Sequence, residues 1–129
     1  MGVRFAAGGI PRTAALNAFA GLADRWNVPK TKRHLLLGQP ERTVYTWFSK
    51  LADEEEGNTP LDATTTERIS HLVSIYNGLH RLLAGDAADQ WMQLPNRAFA
   101  GEKPIDVLLG GRFEDVIEMR HYVDRALYR

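Results

Sequence analysis

The side chains with the most chemistry to offer form two groups. In the first, Arg42, Tyr45 and Thr46 recur at helical spacing, with Thr43 and Lys50 at the margins of the same face. Guanidinium, ammonium and hydroxyl groups so arranged can meet phosphate oxygens and base edges. Lys30, Lys32 and Arg33 add three cations just upstream. In the second group, Tyr128 and Arg129 close the chain. An aromatic and a guanidinium are the types that carry binding energy in buried anchors. Acid–base, nucleophilic and metal chemistry is poorly served. His34, His71, His80 and His121 include no HExxH arrangement and no i, i+4 pair, so no metal site is expected. Gly8-Gly9 and Gly110-Gly111 lack the strand and helix context of a phosphate loop or a nucleophile elbow. Asp86 with Asp89, or Glu114 with Glu118, reads as solvated helix surface. No cofactor and no enzymatic activity are expected.

The elements that must position these groups are bounded by composition. A chain of 129 residues with 44% hydrophobic content can build one modest core, or two small helical lobes sharing one. Cysteine is absent, which excludes disulfides, thiolate metal sites and cysteine nucleophiles together. No apolar run approaches the roughly 18 residues of a membrane span, and residues 1–10 lack a signal-peptide core, so a cytoplasmic location is expected. The formal net charge of zero hides a division. Residues 1–52 hold eight Lys and Arg against two Asp and Glu, a net of +6, which leaves −6 for residues 53–129. A basic unit joined to an acidic one suits a protein with two different partners, although chance segregation on a solvated surface gives the same count.

Helix signals cover most of the chain, and no strand-like alternation of useful length is present. The first twelve residues, with Gly8, Gly9 and Pro11, read as a flexible tail. From Thr13, the spacing of Leu16, Phe19, Ala20, Ala23 and Trp26 predicts an amphipathic helix ending before Pro29. A second helix is expected over 30–37, closed by Gly38. Gln39-Pro40-Glu41 opens a third, whose Val44, Trp47, Phe48 and Leu51 face inward and leave Arg42, Tyr45, Thr46 and Ser49 outside. Residues 53–62 read as an acidic loop, and Thr64-Thr65-Thr66-Glu67 as a capping box opening the longest helix, which stops at Gly85. Asp86 can cap a short helix through Met92, Pro104 starts another, and a final helix begins at Phe113.

That last helix carries a wide apolar arc. Phe113, Val116, Ile117, Val123 and Leu127 form it, and Met119, Tyr122 and Ala126 extend it. Either a partner or two neighbouring helices of the same chain can cover such a width. The first three helices, with a basic and polar outer face on the third, fit a helix-turn-helix equally as well as an ordinary three-helix core. Glu54-Glu55-Glu56 opposes tight DNA binding at its own position by repelling phosphate.

The segment from Trp91 through Pro95-Asn96-Arg97-Ala98-Phe99, Gly101, Pro104 and Leu108-Leu109 to Gly111-Arg112-Phe113-Glu114 resembles the toxin-binding domain of the Xre/MbcA/ParS antitoxins. The N-terminal half is similar, less distinctly, to that family's Xre-like helix-turn-helix, with Arg42 to Trp47 at the recognition helix. The start of the second helix, Pro29 to Arg33, departs from the usual Xre pattern. The resemblance implies an all-α fold: an N-terminal helix-turn-helix bundle joined by a long helix to a small C-terminal toxin-binding domain. It implies a type II antitoxin that occludes the NAD cleft of a RES-domain toxin, a toxin that consumes NAD or transfers ADP-ribose, and that represses its own operon. The implied partners are the cognate toxin and operator DNA, with a homodimer and a toxin–antitoxin hetero-oligomer as assemblies and no membrane.

On this reading the units are a tail (1–12), a DNA-binding-like domain (13–63), a connecting helix (64–84) and a toxin-binding domain (85–129). DNA contacts are expected from Lys30, Lys32, Arg33, Arg42, Thr43, Tyr45, Thr46 and Lys50. Toxin contacts are expected from Arg97, Met119, Tyr122, Arg125, Ala126, Tyr128 and Arg129. Trp91, Pro95, Asn96, Phe99, Pro104, Leu108 and Phe113 are expected to hold the domain's shape, with Asn96 satisfying a turn and Phe99 filling the core. The rival expectation is a stand-alone helix-turn-helix regulator without a toxin.

Overall fold

A computed structural model describes residues 10–128. Most of the expected tail, residues 1–9, and the expected toxin contact Arg129 lie outside them. The remainder of the tail is held: Pro11 pairs with Pro60, and Arg12 opens the first helix with its backbone N donating to Thr59 O at 3.2 Å.

The described residues are helical and contain no strand beyond that isolated bridge. Helix α1 (Arg12–Arg25) buries Leu16, Phe19 and Ala23, the face its periodicity predicts. The helix expected over 30–37 is divided. Pro29 offers no side chain to cap it, and its first turn tightens to a 3-10 turn, Lys30–Lys32, ahead of α2 (Arg33–Leu37). Gly38, at φ 64°, takes the left-handed conformation that ends α2, and Gln39 N donates back to His34 O. Helix α3 (Glu41–Ser49) follows, with Pro40 at its N-cap rather than its first turn.

Two expectations about helix starts are corrected. The acidic stretch is not a plain loop: Asp53 accepts from Glu56 N and caps α4 (Glu54–Asn58), whose acids sit favourably at a helix N-terminus. The long helix α5 (Ala63–Leu82) is capped by Asp62, which accepts from Thr65 N, not by a box from Thr64 to Glu67. Thr65, in the first turn, is fully buried and accepts from Gln39 Nε2 at 3.0 Å, tying α5 to the turn before α3.

Helices α6 (Ala87–Trp91), α7 (Pro104–Leu108) and α8 (Phe113–Leu127), with a 3-10 turn at Arg97–Phe99, complete the chain. Helix α5 is the strut: α1, α2, α6 and α8 all pack on it. At Gly78 it comes so near α8 that a Cβ would lie 2.5 Å from Val123 Cγ1. One apolar core runs through both expected units, from Leu16, Phe19 and Trp26 to Leu108, Val116 and Met119. No described helix is long and apolar enough to cross a membrane.

Candidate functional site

The basic face of α3 borders a groove of about 720 Å³ between the 30–34 segment and α3. Val44 and Phe48 supply apolar walls, and Lys30, Arg42 and Tyr45 stand at the rim with Glu41 as the sole acid among the lining residues. Tyr45 is 74% exposed, and Arg42, Ser49 and Lys50 are exposed as well. Thr46 and Thr43 are half-buried, and Thr46 Oγ1 donates to Arg42 O at 2.9 Å, so its proton is engaged by its own helix.

Lys32 is exposed but does not line the groove, whereas Arg33 lines it with its guanidinium already engaged. Its Nη2 donates to Asp24 Oδ1 at 2.6 Å and its Nε to Val28 O at 2.9 Å, leaving the side chain 13% exposed. A guanidinium so engaged fastens α2 to α1.

In the C-terminal unit, Asn96 builds the loop ahead of α7. Its Oδ1 accepts from Ala98 N, its carbonyl accepts from Phe99 N and Gly101 N, and its own N donates to Glu102 O. Ala100 and Gly101 both take positive φ to close this turn. Pro104 is buried at the start of α7, next to Ile105 N donating to Met92 O. Trp91, Phe99 and Tyr122 form an aromatic cluster, with Phe99 edge-on to Tyr122 at 5.4 Å and Trp91 stacked on Tyr122 at 6.1 Å. The cluster seats the loop carrying Leu94, Pro95 and Arg97, all exposed, against the C-terminal half of α8.

The apolar arc of α8 is therefore largely covered from within. Met119 is fully buried and cannot be a surface contact in the folded chain, a correction that follows from the packing of α8 on α5. Tyr122 and Ala126 are half-buried. What α8 leaves to solvent is a different stripe, Glu114, Glu118, His121, Arg125 and Tyr128, at alternating spacings of four and three. Tyr128 is 75% exposed.

Three charged clusters sit behind these surfaces. Asp89 of α6 accepts from Arg25 Nε at 3.0 Å and lies 3.3 Å from His80 Nε2, joining α1, α5 and α6; this bond raises the Arg25 pKa. Arg120 Nη1 donates to His71 Nδ1 at 2.8 Å between α8 and α5. Burial, then Arg120, lowers the His71 pKa against the opposing pull of Glu67. Arg68 is nine-tenths buried, donates to Gly111 O, and stacks on Phe113 at 5.4 Å; burial lowers its pKa. Sequence reasoning passed over Arg68. The available signal was a cation in register with the buried Thr65, Ile69 and Leu72.

Residues 79–129 match the family described as the antitoxin Xre/MbcA/ParS C-terminal toxin-binding domain. Uncharacterized protein y4oB of Sinorhizobium fredii is 38% identical over 112 residues, covering 86% of this chain and 82% of that protein. The chain also shares the fold of a chain in the crystal structure of the M. tuberculosis MbcT-MbcA toxin-antitoxin complex. That likeness has a TM-score of 0.51 and 21% identity, over 86% of this chain and 90% of the other.

Proposed function

We propose that this chain, which belongs to the Xre/MbcA/ParS antitoxin family, neutralises a RES-domain toxin by covering its NAD cleft with the exposed edge of the C-terminal unit. The observation that carries the reading is the solvent stripe of α8, which ends in the exposed Arg125 and Tyr128, on the helix whose Tyr122 packs against Trp91 and Phe99 on either side of the exposed Leu94, Pro95 and Arg97. An exposed aromatic and a cation on a well-packed helix are preorganised anchors, so little ordering entropy opposes binding. Occlusion is stoichiometric and asks for no reacting group in this chain. The fold neighbour, drawn from a toxin–antitoxin complex, supports a toxin as the partner.

The groove beside α3 favours a second activity, binding of operator DNA and repression of the chain's own operon. Lys30, Lys32, Arg42 and Lys50 would meet phosphates and Tyr45 a base edge. Without a toxin partner, the same surface would make the chain a stand-alone regulator.

Co-expression with the adjacent reading frame, followed by size-exclusion chromatography and an NAD-consumption assay, tests the reading. A stable complex with suppressed NAD loss is expected. Failure to form a complex would overturn the antitoxin role and leave the regulator.

A further inference from the structure

The seam between α5 and α8 holds a histidine that can serve only one of two neighbours at a time. His71, on α5, is largely buried, with its ring edge-on to Phe113 at 5.8 Å. Arg120 Nη1, on α8, donates to its Nδ1 at 2.8 Å. A guanidinium only donates, so Nδ1 is bare and the ring's single proton sits on Nε2. That nitrogen is buried, lies 3.5 Å from Glu67 Oε1 one turn back on α5, and makes no hydrogen bond among the described residues.

A second proton on the ring reverses the arrangement. With Nδ1 protonated, two N–H groups and two positive charges would meet, so the bond to Arg120 cannot survive. Both cations have another partner. Arg120 Nε already lies 3.6 Å from Asp124 Oδ2, one turn along α8, and the charged ring can close on Glu67. A contact between helices is thereby exchanged for two contacts within helices. Of the other charged groups near the ring, His121 of α8 opposes a positive His71, and Arg68 stacks on the same Phe113. Burial and Arg120 hold the His71 pKa down while Glu67 pulls against them, so the exchange falls below the ordinary histidine value of about 6.5.

We infer that His71 is a proton-operated catch: neutral, it fastens the middle of α8 to α5 through Arg120, and protonated, it frees the half of α8 that carries Arg125 and Tyr128. Among the described residues no other side-chain hydrogen bond joins these two helices. Beyond Arg120, α8 meets α5 through Val123 and Leu127 at Gly78, apolar contacts that a proton leaves in place. Release therefore loosens this half without detaching it. The catch rests on the contacts of α5 and α8 alone. Its regulatory consequence rests on the proposed toxin reading: a looser stripe binds toxin less tightly, and a bound toxin makes His71 harder to protonate.

Hydrogen exchange and the His71 ring shifts of the full-length chain, followed by NMR from about pH 7.5 to about pH 5, test the catch without a toxin. Corrected for intrinsic rates, protection in the second half of α8 should fall about tenfold, the loss of one charged hydrogen bond, while protection in α1 falls less than about threefold. The midpoint should coincide with the titration of His71. In His71→Gln, whose amide oxygen can accept from Arg120 at any pH, α8 should keep its protection. In Arg120→Met, α8 should be loose throughout and the His71 midpoint should rise. An α8 unmoved through the His71 titration, an equal fall in α1, or a fall that persists in His71→Gln overturns the inference. With the toxin, the dissociation constant should rise between about pH 7.5 and about pH 5.5 by at least about threefold more for the parent than for His71→Gln. Equal rises overturn the regulatory role, whereas no complex at any pH overturns the toxin reading and leaves the exchange data to judge the catch.

Discussion

The guanidinium of Arg68 donates at 3.1 Å to the carbonyl of Gly111, 43 positions along the chain, and its other terminal nitrogen lies 3.5 Å from Leu36 O. Leu36 belongs to the last turn of α2, and Gly111 follows the end of α7. A buried cation is thus balanced by carbonyls near two helix C-termini, where the backbone dipoles favour positive charge, instead of by a contacting carboxylate. The fit is tight: a Cβ on Gly38 would lie 2.6 Å from Arg68 Cζ. One side chain of the central helix therefore ties the α2–α3 turn to the start of α8.

Replacing Arg68 with Ala should destabilise the chain by about 2–4 kcal/mol, because two carbonyls lose a charged donor and Phe113 loses its stacking partner. Lys should recover less than half of this, having no planar fork to reach both carbonyls. Urea denaturation monitored by circular dichroism measures the difference. A loss of under about 0.5 kcal/mol for Arg68→Ala would show that the tie carries no stability.

Tyr128 and Met119 should separate cleanly, although both are expected toxin contacts from sequence. Tyr128→Ala, in an exposed position, should leave the melting temperature within about 2 °C of the parent while weakening toxin binding about tenfold. Met119→Ala should cost about 2–4 kcal/mol of stability through a core cavity. Calorimetric titration with the toxin, paired with thermal melts, reads both. Equal stability losses would contradict the burial that distinguishes them.

If the chain binds its operator, Arg42→Ala should lower the slope of log affinity against log salt by about 1, the signature of one lost phosphate contact. Arg33→Ala should instead loosen the link of α2 to Asp24 and Val28, and lower stability. Fluorescence anisotropy on operator duplex over a salt series distinguishes them. An unchanged slope for Arg42→Ala removes it from the DNA interface.

His71 gives the folded chain a dependence on pH. Arg120 donates to His71 Nδ1, so that nitrogen carries no proton in the folded state. The folded pKa is lowered, by burial first and Arg120 second, so the unfolded chain binds the proton more readily. The contribution is complete above the unfolded value of about 6.5 and is lost as pH falls from there toward the folded value. Urea midpoints at about pH 7.5 and about pH 5.5 should therefore fall with acidification. In His71→Gln the fall should be smaller. An identical fall in both chains would assign the dependence elsewhere.

Local chemistry made much of this protein legible from its residues alone. Periodicity marked the buried faces of α1, α3 and α5, Gly38 marked a left-handed helix end, and Asn96 and Pro104 marked a turn and a helix start. Such features depend on neighbours within a few residues, so spacing suffices to read them. The motif from Trp91 to Glu114 carried the family for the same reason. Competition between distant groups was not legible. Asp62 caps α5 where the Thr64 box was expected, Thr65 is drawn inward to Gln39, and Arg33 lines the groove with its guanidinium already taken by Asp24 one helix away. Met119 and Arg125 sit six positions apart on one amphipathic helix, and sequence cannot tell which edge of a wide arc its neighbours will cover. Only the packing of α8 on α5, closed at Gly78, buries the first and leaves the second to solvent, because burial is decided by the partner surface as well as by the helix itself.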